Sequence, residues 1–219
     1  MNQIKDEFSV LFEEENKEEA VVYVLNKLKS NEIDVIDLYT YILTPLLNHL
    51  TCKLEDKRIC IWKEHVKTAI VRTIVECCYP YVLEKRNLLN SSKKGTAVIL
   101  CPPGEHHDLG ARMASDFFMI NGYDTIFVGS SIPYEDFYNA IEIIKPTLVA
   151  ISVSNYYNLV ATKRMIQEIK QTTNYSMKII VGGHAFQEAP ENKVKAVGAD
   201  FYVKSYEDIL KLNDNEVTL

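Results

Sequence analysis

Residues 98–112 read VILCPPGEHHDLGAR, an apolar run that passes directly into two prolines, a glycine, an acid and two histidines. Val98, Ile99, Leu100 and Cys101 have the make-up of a buried strand. Pro102, Pro103 and Gly104 end it, because proline brings no ladder donor and glycine opens a turn. A helix is expected from about Asp108, with Leu109, Met113, Phe117 and Ile120 on one face at spacings of three and four. Glu105, His106, His107 and Asp108 therefore fall at the carboxyl end of a strand, which is where open α/β sheets place their ligands. Gly110, one step into the helix, permits a close backbone approach.

Outward from this stretch the chain divides in two. After it, strands are expected near 124–129, 147–153, 177–182 and 199–203, with helical segments between them. Together with 96–101 this predicts a doubly wound, flavodoxin-like parallel sheet of five strands over residues 95–219. Before it, residues 1–88 show only helical periodicity. Phe8, Leu11 and Phe12 mark a short start; Ala20, Val21, Val24, Leu25 and Leu28 mark one helix. Val35, Leu38, Tyr39, Ile42, Leu46 and Leu50 mark a second, in which Pro45 should force a kink or split off a turn. Ile61, Val66, Ala69, Ile70, Thr73, Ile74 and Cys77 mark a third, running from 61 to about 83. The expectation is a bundle of about four helices. Between the halves, EKRNLLNSSKKG at 84–95 reads as a linker.

Composition narrows the classes. The 219 residues are 47% hydrophobic and 25% charged, as in ordinary globular proteins, and the formal net charge of -6 argues against nonspecific nucleic-acid binding. No apolar run approaches the ~18 residues of a membrane helix, and the start MNQIKDEF lacks a signal-peptide core. A cytosolic protein is expected. Five cysteines without CxxC spacing suit a reducing compartment.

The familiar nucleotide signatures are missing: no GxGxxG follows the first strand, and there is no GxxxxGK[ST]. The third strand ends ISVSN, placing Ser152 and Ser154 at its carboxyl end, and the fourth ends VGGH, placing Gly182, Gly183 and His184 there. A loop histidine is usually just solvated, a double glycine is as often a plain turn, and Ser152 alone says little. Their agreement on one sheet edge points to a wide cleft for a large ligand. Glu105, two residues before His107, adds to this, since a carboxylate fixes the tautomer that leaves the other ring nitrogen free for a metal. A zinc site at residues 105–108 lacks HExxH spacing, and four adjacent loop residues rarely converge on one ion. Glu64 and His65, behind Trp62, read either as an exposed first turn or as part of a site.

On these motifs the chain resembles the cobalamin-binding domain family with a helical cap, over about residues 17–210. GEHHDLG is similar to its (D/E)xHxxG motif, with Glu105, His107 and Gly110 in the diagnostic positions; ISVS and VGG resemble its second and third elements. The resemblance implies that His107 is the lower ligand to cobalt, held by Glu105 and through it by Ser152. It also implies that Gly182 and Gly183 leave room for the nucleotide tail, that Ser154 bonds to that tail, and that Glu64 and His65 face the upper ligand from the cap. PPGExHxxG is more similar to light-sensing regulators using adenosylcobalamin than to methyl carriers, which usually read DxHDIGKN. Where those sensors carry tryptophan and then histidine, ten residues before the Glu of Glu-His, this chain has Leu54 and Glu55. A smaller Leu54 implies more space above the corrin, for a different upper ligand such as methyl or for another tetrapyrrole such as a bilin, with His65 the nearby substitute ligand. The stretch before residue 17 is too short for a DNA-binding winged helix. The expectation is therefore a stand-alone cobalamin sensor, light- or upper-ligand-responsive, signalling through self-association or a protein partner, with no nucleic acid and no membrane. The alternatives are a corrinoid methyl carrier serving a methyltransferase and, more weakly, a bilin binder or cobalamin store.

Overall fold

The computed structural model describes residues 2–50 and 59–212, with only the backbone of Tyr134; Leu54 and Glu55 lie outside the described residues. The chain divides into two compact units, residues 1–85 and 86–219.

The first unit is helical. Helices α1 (Asn2–Glu13) and α2 (Lys17–Lys29) bury Phe8, Phe12, Ala20, Val24 and Leu28, a stripe spaced by fours. Asn16 caps α2 by accepting from Glu19 N–H at 3.3 Å. The next segment runs as α3 (Val35–Asp37), a π-helical stretch Leu38–Leu43, and α4 (Thr44–Asn48). Pro45 accounts for the wide turn. It supplies no N–H and its ring crowds the carbonyl four residues back, and just before it Thr44 N–H reaches Tyr39 O, five residues back.

The third expected helix is two. Helix α5 (Cys60–Cys77) stops at Cys78, and α6 runs Tyr79–Leu89. Pro80 is the cause, because it is tolerated in a first turn but not in a helix interior. The buried stripe is Ile70, Val71, Ile74, Val75, Cys78 and Val82, whereas Ile61 is 68% exposed and Ala69 is also exposed. The expected linker is likewise shorter: α6 continues to Leu89 and only residues 90–95 are irregular. Cys60 is disulfide-bonded and Cys77, Cys78 and Cys101 are free, so an odd cysteine count did not mean that all were free thiols. Among the described residues no helix is long and apolar enough to cross a membrane.

The second unit is the doubly wound sheet. Strands β1 (Thr96–Leu100), β2 (Asp124–Gly129), β3 (Leu148–Ser152), β4 (Lys178–Gly182) and β5 (Phe201–Val203) are all parallel in the order β2-β1-β3-β4-β5. Alternate side chains feed two cores. Val98, Leu100, Val149, Ile151, Ile179 and Val181 face helices α8 (Tyr134–Ile144), α9 (Leu159–Thr172) and α10 (Pro190–Val197). Ala97, Ile99, Leu148, Ala150 and Ile180 face α7 (Leu109–Ile120) and α11 (Tyr206–Lys211). Burial on both faces is why these strands read as nearly unbroken apolar runs. The strand order reverses between β1 and β3, so the loops leaving those two strands diverge and open a crevice at their carboxyl ends.

Candidate functional site

The loop after β1 opens with a tight turn. Glu105 N–H donates to Pro102 O at 3.0 Å, with Pro103 second and Gly104, at φ +81°, third. That is the residue order of a type II turn, which needs a positive φ at its third place. The turn aims Glu105 inward across the crevice, where it is 1% exposed.

Both carboxylate oxygens are occupied. Oε1 accepts from His107 N–H at 3.0 Å and from His107 Nδ1 at 2.6 Å; Oε2 accepts from Ser154 N–H at 2.9 Å, Asn155 N–H at 2.7 Å and Asn158 Nδ2 at 3.0 Å. Burial alone would raise the pKa of Glu105. The hydrogen bonds from Asn155, Asn158 and His107 outweigh it and bring the pKa down to about 2. A carboxylate that only accepts fixes the neutral imidazole as the Nδ1–H tautomer, leaving the Nε2 lone pair free. The ring stands outward, its side chain 60% exposed.

Cys101, behind the loop, has its thiol pushed up to about 12 by burial and by the nearby charges of Asp108 and Glu105. It is a packed thiol and not a thiolate. Among the described residues, no group of three or more His, Cys, Asp or Glu side chains is arranged to hold a metal ion.

The other sequence-derived residues divide between the units. Gly110 is exposed, and a Cβ on it would lie 4.0 Å from Ser152 Oγ, in ordinary contact. Ser152 itself does not reach Glu105: among the described residues its hydroxyl makes no bond to that carboxylate. The relay expected through Ser152 is thus replaced by Ser154 N–H, Asn155 and Asn158. The reason is the course of the chain, since Ser152 is still in the β3 ladder opposite Gly182 while the next turn swings back over Glu105. Gly182 and Gly183 are required by protein backbone. A Cβ at Gly183 (φ +97°) would lie 2.4 Å from Val153 O, and one at Gly182 would lie 2.7 Å from Val203 O. Glu64 and His65 are exposed on α5 of the helical unit, His65 Nδ1 donating to Ile61 O at 2.7 Å.

Asn155 and Asn158 are the residues that sequence reasoning missed. Asn155 is also a local cap, its Oδ1 accepting from Tyr157 N–H at 3.0 Å in the 3-10 turn Tyr156–Asn158. Two asparagines three apart just past a strand end were the available signal, asparagine being a turn residue that also donates. Asn158→Ala removes one of the three donors on Oε2. It is expected to cost about 1–2 kcal/mol of sheet-unit stability, read by urea unfolding of the cofactor-free protein.

An imidazole presented by a buried carboxylate at the switch point of a doubly wound sheet defines a cofactor-binding α/β domain. Residues 95–210 match the model of the B12 binding domain, and the chain belongs to that family, whose cofactor is a cobalamin-type corrinoid. It is 26% identical over 129 residues to trimethylamine corrinoid protein 1 of Methanosarcina mazei, covering 58% of each chain. It is 25% identical to the dimethylamine corrinoid protein of Methanosarcina barkeri over 53% of this chain and 54% of that one. The chain thus matches little more than half the length of these curated relatives. The structure of the Methanosarcina barkeri monomethylamine corrinoid protein superposes with a TM-score of 0.81 over 97% of both chains at 16% identity, and so shares the fold.

These relatives overturn the sensor expectation. They are methylamine corrinoid proteins and not light-sensing regulators, and nothing in them favours a photoreceptor or adenosylcobalamin.

Proposed function

We propose that this chain is a corrinoid methyl carrier, holding a cobalamin-type cofactor over His107 and passing a methyl group between partner methyltransferase proteins. The observation that carries the reading is the outward Nε2 of His107, fixed by a Glu105 carboxylate that five N–H groups hold ionised. This donor would suit a corrinoid metal that takes a single nitrogen ligand from the protein. When bound, the corrinoid supplies a metal centre that accepts and gives up a methyl group.

The chain's own residues set the conditions. His107 is the lower ligand, and Glu105 orients it and raises its basicity. Gly110 leaves the first turn of α7 open beside Ser152. Ser152 and Ser154, with Gly182 and Gly183, line the strand ends along which the nucleotide tail lies. Glu64 and His65 belong to the helical unit, where both are exposed on α5.

The test is transfer. Cobalamin-loaded protein, reduced and mixed with monomethylamine, dimethylamine or trimethylamine methyltransferase and the matching amine, is expected to gain the absorbance of the methylated cofactor. No methylation with any of the three would remove the carrier reading.

A further inference from the structure

The turn that grips Glu105 also exposes three large apolar residues within five positions: Tyr156 at 63%, Tyr157 at 85% and Val160 at 79%. Exposed aromatics in such a cluster are unusual on a monomer surface and mark a contact site. These are also pre-organised. Tyr157 N–H is held by Asn155, whose own N–H is bound to Glu105. Tyr156 lies under Lys193 Nζ, 5.4 Å from the ring centroid, and that ammonium is in turn tied to Ala185 O at 2.8 Å, just past the double glycine. The two rings meet edge to face at 6.4 Å and 70°. Among the described residues neither tyrosine hydroxyl makes a hydrogen bond.

The position of this pair names its occupant. Two hydrogen bonds through Glu105 separate the ring of His107 from the backbone of Asn155, and neighbouring strand ends are ~4.8 Å apart. A planar macrocycle centred over the imidazole therefore overhangs the end of β3. A cobalamin-type corrin has a methylated, apolar rim bearing carboxamide arms. An aromatic face with an unpaired hydroxyl matches both, the ring meeting the methyls and the hydroxyl meeting an amide.

We infer that Tyr156 and Tyr157 form an aromatic rest for the edge of the corrin, positioning the macrocycle over His107. This rests on the corrinoid reading above. The tyrosines touch the ring and not the nucleotide tail, so their loss weakens cobalamin and the tail-less corrinoid cobinamide alike.

Tyr157→Ala is expected to raise the dissociation constant of both corrinoids about 10-fold in absorbance titrations, with Tyr157→Phe retaining most of the affinity. Nitration by tetranitromethane, mapped by peptide mass and normalised to Tyr79, should fall several-fold at Tyr157 when cobalamin is bound. Equal nitration with and without bound cobalamin, or a loss confined to cobalamin and absent for cobinamide, would overturn the proposal while leaving the carrier reading in place. So would protection that appears only at high concentration of the cofactor-free chain, or only with a methyltransferase present, since a protein would then be the occupant. Failure to bind either corrinoid overturns both.

Discussion

Glu105→Ala is expected to destabilise the sheet unit by about 3–5 kcal/mol, because it removes a buried anion and leaves five part-buried N–H donors without their acceptor. Ser154 N–H, Asn155 N–H and Asn158 Nδ2 lose their acceptor, as do His107 N–H and its ring nitrogen. The effect is expected to depend on pH in one direction. In the folded chain Glu105 ionises at about 2, below the 4.5 of an unperturbed glutamate. The folded state therefore binds the proton less readily than the unfolded state. The stabilisation from the held anion is fully present above about pH 4.5 and is lost as the pH falls toward 2, a change of roughly 3 kcal/mol. Urea unfolding of cofactor-free wild type and Glu105→Ala at pH 7 and pH 2.5 reads this directly. The gap between them should shrink at the lower pH, and an unchanged gap would mean that the carboxylate is not held as an anion.

Much of this arrangement is legible in the amino-acid sequence. The five strands were legible because a sheet buried on both faces writes itself as short apolar runs, and 98–101 and 148–151 are such runs. The loop after β1 was legible because proline and glycine each constrain the backbone in a known way. The helical unit was less so. Helical periodicity shows that a segment is helical, but it leaves the buried face uncertain by one position, which is how Ala69 was chosen over Val71. Pro80 breaks the helix inside an otherwise apolar stretch, where the periodicity runs on with little change. The partners of Glu105 were half legible: the carboxylate and its histidine are two residues apart, but which atoms of the β3 loop return to it depends on where the chain turns, and that is a tertiary fact. The branch of the family was misread for a related reason. PPGExHxxG fixes a turn and aims a carboxylate at an imidazole, a geometry serving any corrinoid ligated from below. It carries no information about the upper face, where a light sensor and a methyl carrier differ.

The same logic makes His107→Ala the most informative substitution on the cofactor side. With the ring largely in solvent and the backbone N–H still able to donate to Glu105 Oε1, the variant keeps every contact that closes the crevice except one, and the cofactor-free protein should lose about 1 kcal/mol or less. Corrinoid binding should suffer far more. Removing the proposed lower ligand is expected to weaken cobalamin binding by about 10- to 100-fold or more, since even loss of a residue that only orients a metal ligand costs that much. The spectrum of the bound fraction should change from that of an imidazole-ligated corrinoid to that of one carrying water or its own base. Free imidazole, added to the variant, should restore the ligated spectrum in part, because Glu105 remains poised to orient it, and this rescue should vanish in the double variant with Glu105→Ala. An unaltered spectrum and affinity in His107→Ala would place the metal elsewhere, and the carboxylate–imidazole pair would then be no more than the clasp that joins the β1 loop to the β3 loop.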